Sequence, residues 1–213
     1  MAQRQTRDEI LLAALPHVVF DGWTARALAA GGADAGLTPD AALRAFPGGM
    51  VELAEHFSEY ADRRMTAEQE RRAEIGPSVG HGIALAVRLR LDGLAPHREA
   101  VRRSIAFLAL PHNANAAARC AWRTVDTIWH AIGDRSVDFS YYTKRAALGC
   151  VYAATVLYWL GDDSEDHADT WSFLERRIEG ARVLSGLNPM SIVERISRLG
   201  RQAGPGAVRA RRT

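Results

Sequence analysis

Helical periodicity runs along almost the whole of this 213-residue chain, and the alternation expected of β-strands is nearly absent. Apolar side chains return every three or four residues, and Gly- and Pro-containing steps punctuate the pattern. Only an all-α fold satisfies that pattern. The spacing predicts a first helix from Thr6, with Glu9 three residues on as a capping box, ending at Gly22. Pro16 lies inside it and should bend or break it, because the ring removes a hydrogen bond and clashes with the preceding turn. A second helix is expected over 24–33. A third starts at Thr38 with Pro39 in the first position and stops at Pro47-Gly48-Gly49. A long helix follows over 50–74, and others at about 79–91, 97–109, 113–132, 139–160, 165–184 and 189–200. The stretch 202–213, rich in Gly, Pro and Arg, is expected to lack fixed structure.

The length suits one large domain, or one domain with a small appendage, and can bury a substantial core. Cys120 and Cys150 fit neither a metal spacing nor a secreted disulfide framework, which points to a reducing compartment. Nearly all the positive charge is arginine, with Lys144 the only lysine. Residues 1–9 are neither apolar like a signal peptide nor acid-free like a transit peptide, and on that ground a bacterial or already processed chain is expected. The longest apolar run, 146–160, is shorter than the roughly 20 residues of a membrane span. A helix apolar on every side is expected in the middle of a bundle.

Three short helices followed by a long bundle is the layout of TetR-type regulators. The pattern divides the chain into a helix-turn-helix-like subdomain (1–50), a helical bundle (51–186) and a C-terminal segment (187–213). A repressor would lay its third helix in the major groove with basic and polar side chains on phosphates and bases. Here that helix offers one arginine, one aspartate and mostly alanine, and residues 1–50 carry four arginines against five acids, a net of −1. The electrostatic footprint of a nucleic-acid binder is missing, so no nucleic-acid partner is expected; a TetR-type transcriptional regulator is the alternative reading. An enzyme reading fares no better. A di-iron bundle needs Glu-x-x-His motifs, and none occurs. No metalloprotease, nucleophile-elbow or phosphate-loop motif is present either, so no catalytic residue, metal or cofactor is assigned.

The stretch 126–145 carries the most specific wording: Trp129-His130, Gly133-Asp134, Asp138-Phe139 and Tyr142-Thr143-Lys144-Arg145. Aromatics beside carboxylates at a helix entrance suit a recognition surface. They equally suit a helix N-terminus with buried rings. Together with Gly22-Trp23-Thr24, Leu110-Pro111-His112-Asn113 and Asp169-Thr170-Trp171, in this order, these segments resemble the lipid-binding accessory proteins of coenzyme Q (ubiquinone) biosynthesis. The resemblance covers nearly the whole chain. It implies a TetR-like fold, no enzymatic activity, and the di-iron demethoxyubiquinone hydroxylase as partner. Carried over by motif, the partner-binding positions are Asp126, Ile128, Asp138, Tyr141 and Tyr142. The resemblance also implies a bound isoprenoid quinone or phospholipid, a peripheral place on the cytoplasmic face of a bacterial inner membrane (the matrix side in a eukaryote), and leaves a homodimer open.

The central segments are rich in small residues, which either let helices close up or leave room for a ligand. With the resemblance, Leu108, Leu110, Pro111, Leu148, Val151, Tyr152, Thr155 and Tyr158 become candidates for lining a lipid pocket. Further on, Pro189, Ile192, Val193, Ile196 and Leu199 recur on one helical face, with Arg195 and Arg198 on the polar side. From 182 to 213 there are seven arginines and one acid, a net of +6. Such a segment either packs back on the bundle or lies on anionic lipid; the resemblance favours a membrane-binding helix. At about 12 residues it would reach only ~18 Å, enough to lie on a surface and not to cross.

Overall fold

A computed structural model of the chain describes residues 2–72, 78–133 and 139–186, and the side chains of residues 3–72, 78–133 and 142–181 within them. The described residues form nine α-helices joined by short turns and contain no strand. They are α1 (Ala2–Asp21), α2 (Ala25–Asp34), α3 (Pro39–Ala45), α4 (Gly49–Arg72), α5 (Val79–Leu94), α6 (Arg98–Leu108), α7 (Ala114–Ala131), α8 (Phe139–Trp159) and α9 (Ala168–Gly186). Three-residue 3₁₀ turns precede α6, α7 and α9.

Local chemistry sets several of the boundaries. The Thr24 side chain accepts from the Ala27 amide and caps α2; Thr38 caps α3 in the same way through Ala41, with Pro39 just inside. At the far end of α8, Arg98 of α6 donates to the carbonyls of Trp159 and Asp162, and Arg102 to that of Leu160. Carbonyls that a helix end leaves orphaned are thereby satisfied by cations, which also favour the negative pole of the helix.

The start of α1 departs from the expected capping box. The helix begins at Ala2, so Thr6 lies inside it, and Glu9 instead accepts from Gln5 one turn back. Long-range pairing explains the extra turn: Arg7 holds Glu52 at 2.7 Å, and Asp8 is gripped by His56 and Arg63 of α4. Pro16 does not break α1, which runs on to Asp21; the proline lies on its exposed side. The opposite side is pinned to α2, because α1 approaches so closely at Ala14 that a Cβ on Gly31 would come within 2.5 Å of its backbone. Gly32 likewise accommodates Ala42 of α3. The first three helices thus pack as a compact trio, and the core continues through Leu53, Phe57 and Met65 of α4 into α5, α7, α8 and α9.

The placement of α8 corrects another expectation. It is not enclosed in the bundle: Tyr142, Ala146, Cys150, Ala153 and Leu157 form an exposed stripe, while Leu148, Val151, Thr155 and Trp159 face the core. An apolar composition fixes that a helix has greasy surface, not that a neighbour covers all of it. Both cysteine thiols are free, Cys120 buried and Cys150 exposed. No helix among the described residues is long and apolar enough to cross a membrane.

Candidate functional site

The segment singled out in the sequence includes the end of α7 and the start of α8. Gly133, with φ of +81°, stops α7 in the left-handed conformation that glycine adopts without strain. The Asp126 carboxylate accepts from Arg145 Nε at 2.7 Å, and Arg145 itself is only 1% exposed. A buried guanidinium therefore fixes a half-exposed acid in one orientation. His130 Nδ1 lies 2.8 Å from the Asp126 carbonyl and 3.4 Å from its carboxylate. Lys144 lies over the Trp129 ring at 5.6 Å.

The motif-derived partner positions fall into three groups. Tyr142 is 62% exposed and Asp126 half-exposed. Ile128 has no exposed surface and packs in the core with Val125 and Trp129, so it supports the surface from below and offers no contact of its own. Asp138 and the side chain of Tyr141 lie outside the described residues. A residue outside the motif adjoins Asp126 and Tyr142: Trp122, one turn before Asp126, is 42% exposed, and its ring lies 6.1 Å from that of Tyr142. A tryptophan among Arg119, Arg123 and Asp126 on the polar side of α7 was the available signal.

The eight pocket candidates do not share one environment. Leu148, Val151 and Thr155 are buried, and the Thr155 hydroxyl donates to the Val151 carbonyl. Leu110, Pro111 and Tyr158 are exposed, Tyr158 stacked on Phe173 at 4.5 Å, and Leu108 is half-buried against the core. Tyr152 belongs to a polar network. Its hydroxyl accepts from Arg90 Nη1 at 2.6 Å, and Arg90 Nε donates to Asp62 at 2.8 Å. Thr124 donates to the same Asp62 oxygen, and Arg123 reaches the other at 3.2 Å. Burial pushes the Tyr152 hydroxyl pKa upward against the pull of the Arg90 charge. Burial also works against the charge on Arg90, but Tyr152 and Asp62 outweigh it and hold the guanidinium protonated. The network ties α4, α5, α7 and α8 together beneath the α7–α8 surface.

Two clefts run along α4. One, of about 1010 Å³, lies between Gln3–Asp8 of α1, Glu52–Glu59 of α4 and Arg123. The other, of about 400 Å³, continues past Glu59 and Arg123 to Glu70 and Thr127. None of the eight candidates lines either cleft. At the mouth of the first, buried His56 meets Asp8 at 2.8 Å. Burial depresses the His56 pKa, opposed by the bond to Asp8. Burial pushes Asp8 up, but hydrogen bonds and charge from Arg63 and His56 bring it below the usual carboxylate value.

The acidic group before α9 is a cap. Asp162 accepts from the amides and hydroxyls of both Ser164 and Thr170. Burial alone would raise its pKa; these bonds drive it far below the ordinary value. No cluster of His, Cys, Asp and Glu suited to a metal ion occurs among the described residues. The membrane-helix candidates Pro189, Ile192, Val193, Arg195, Ile196, Arg198 and Leu199 lie outside the described residues.

Residues 114–185, which contain α7, α8 and nearly all of α9, match the family model COQ9. The chain is 36% identical over 187 residues to the human mitochondrial ubiquinone biosynthesis protein COQ9, covering 84% of this chain and 58% of that protein. It is 35% identical over 179 residues to the Drosophila melanogaster protein of the same name, covering 82% and 55%. The chain thus spans a little over half the length of these curated relatives. Among solved structures, a TetR transcriptional regulator from Nitrosomonas europaea superposes with a TM-score of 0.67 at 24% identity, covering 83% of this chain and 97% of that one. That likeness shows an all-α, TetR-like fold and nothing about DNA.

Proposed function

We propose that this chain, similar over most of its length to the COQ9 proteins, is a non-enzymatic protein of ubiquinone biosynthesis that binds an isoprenoid quinone intermediate or phospholipid at a membrane surface. It presents the lipid head group to the di-iron demethoxyubiquinone hydroxylase. The observation that carries this reading is the α7–α8 surface. There an exposed aromatic pair adjoins a carboxylate held in place by a buried arginine, within the segment matched by the family model. Such a surface suits docking, because rigid rings supply contact area at little entropic cost and an oriented charge selects the partner.

Membrane attachment is assigned to 187–213 through the apolar positions Ile192, Val193, Ile196 and Leu199 and the arginines beside them. A surface-bound helix lifts the quinone partly out of the bilayer, so the gain is access for the hydroxylase rather than affinity for the lipid. We assign the lipid site to the end of α6 and to α8, around Leu108, Leu110, Leu148, Val151, Thr155 and Tyr158. Since Leu148, Val151 and Thr155 are buried, loading there requires the α8 packing to open. In a bacterial cell the site of action is the cytoplasmic face of the inner membrane.

The test is flotation with vesicles containing anionic phospholipid. Full-length protein is expected to float with them and a chain lacking 188–213 to remain behind with its helical content nearly unchanged. Equal flotation, or loss of the whole fold on truncation, would refute the membrane assignment.

A further inference from the structure

Trp122 differs from the other tryptophans of this chain. Trp23, Trp129 and Trp159 are buried and Trp171 is half-buried, whereas Trp122 is exposed on α7. A large ring held at the surface forgoes the burial that makes such residues stabilising, and covering it releases that free energy to a binding partner. It lies one helical turn from Asp126, on the same side of α7, and its ring is tilted 33° to that of Tyr142. The patch therefore combines two exposed rings with an acid that Arg145 holds in one orientation.

The charges identify the kind of occupant. An anionic lipid surface is disfavoured, because it would meet the Asp126 carboxylate. A second copy of this chain is also a poor match. An isologous contact would bring the same patch opposite Asp126, and its cations are engaged at home: Arg119 with Glu55, Arg123 with Asp62, Arg145 with Asp126 and Lys144 over the Trp129 ring. An unlike protein that offers an apolar pocket beside a basic side chain satisfies both halves of the patch.

We propose that Trp122 is the α7 anchor of the partner-binding surface, acting with Tyr142 where the buried Ile128 has no reach, and that it inserts into an apolar pocket of a protein partner with a basic group against Asp126. The proposal rests on the reading that this surface docks the di-iron hydroxylase. Trp122 is a contact residue for that complex, not a support for the fold.

The experiment titrates full-length protein with the purified hydroxylase of the same genome, comparing wild type, Trp122→Ala, Trp122→Phe and Tyr142→Ala, each with a thermal melt and a sedimentation profile. Expected are an unchanged melt and about a 30-fold or greater weakening for Trp122→Ala, the size of an anchor contact, with Trp122→Phe between it and wild type. Tyr142→Ala weakening the complex while Trp122→Ala binds as wild type would overturn this proposal and leave the docking reading in place. A wild-type chain that does not bind would overturn both. A lowered melt for Trp122→Ala would make the ring structural, and a change confined to self-association would assign the patch to a second copy; either result overturns the proposal.

Discussion

Replacing Arg90 by methionine removes the centre of the polar network under the α7–α8 surface while keeping most of the side-chain volume. The guanidinium now bonds Asp62, Tyr152, Ser58 and Thr124 at 2.6 to 3.3 Å. After the change, the buried Asp62 carboxylate keeps Thr124 at 2.9 Å and Arg123 at 3.2 Å, but it loses its buried counter-charge. Breaking a buried pair costs about 3–5 kcal/mol, because the remaining charge stays desolvated. Arg123, which is partly exposed and bonds the other oxygen, offsets some of this, so about 3 kcal/mol is expected here. For a domain of this size that corresponds to a fall in Tm of roughly 6–12 °C, readable by circular dichroism or calorimetry. The double variant Arg90→Met, Asp62→Leu removes both charges and should lose less than the sum of the single changes, since no buried charge is left alone. A loss under about 1 kcal/mol for Arg90→Met, or strict additivity in the double variant, would refute the claim that these groups act as one buried unit.

Three further outcomes follow from the same geometry. Asp162→Asn leaves the Ser164 and Thr170 donors with a weaker acceptor and should destabilise the chain by about 1–3 kcal/mol in urea melts; no change would mean that the cap is not formed. Burial depresses the pKa of His56, and of His97 likewise, below 6.5, so as pH falls through that value the unfolded chain takes up protons that the folded chain does not. Tm should therefore fall from about pH 7 to about pH 5, less so in His56→Gln, and Asp8, held below the usual carboxylate value, adds a further loss only below about pH 4; a flat profile from about pH 7 to about pH 5 would contradict this. Residues 1–50 carry a net charge of −1, so no defined duplex should shift at nanomolar protein, and a salt-dependent specific shift would restore the repressor reading.

The parts of the fold set by neighbours in sequence were legible before the structure. Thr24, Thr38 and Pro39 place helix starts through contacts three residues away, and the sequence pattern reports such contacts directly. What depended on distant residues was not. The N-terminal turn of α1 exists because Arg7 and Asp8 meet α4 some 45 to 55 residues later. The network joining Asp62, Arg90, Thr124 and Tyr152 spans four helices, and Tyr152 read alone looked like pocket lining. Ile128 is a different case. The spacing Val125, Ile128, Trp129 already placed it on the buried face of α7, and motif carry-over took precedence over that periodicity. The exposed stripe on α8 was hidden for a simpler reason: composition does not say where neighbouring helices end.

The account as a whole turns on whether the protein carries lipid. Full-length protein purified from membranes of a quinone-producing host, without detergent exchange, would be extracted with organic solvent and analysed by mass spectrometry. The account predicts an isoprenoid quinone intermediate or phospholipid at a substantial fraction of one per chain, with the amount reduced on deletion of 188–213. Protein that is fully folded and free of any isoprenoid or phospholipid would contradict it.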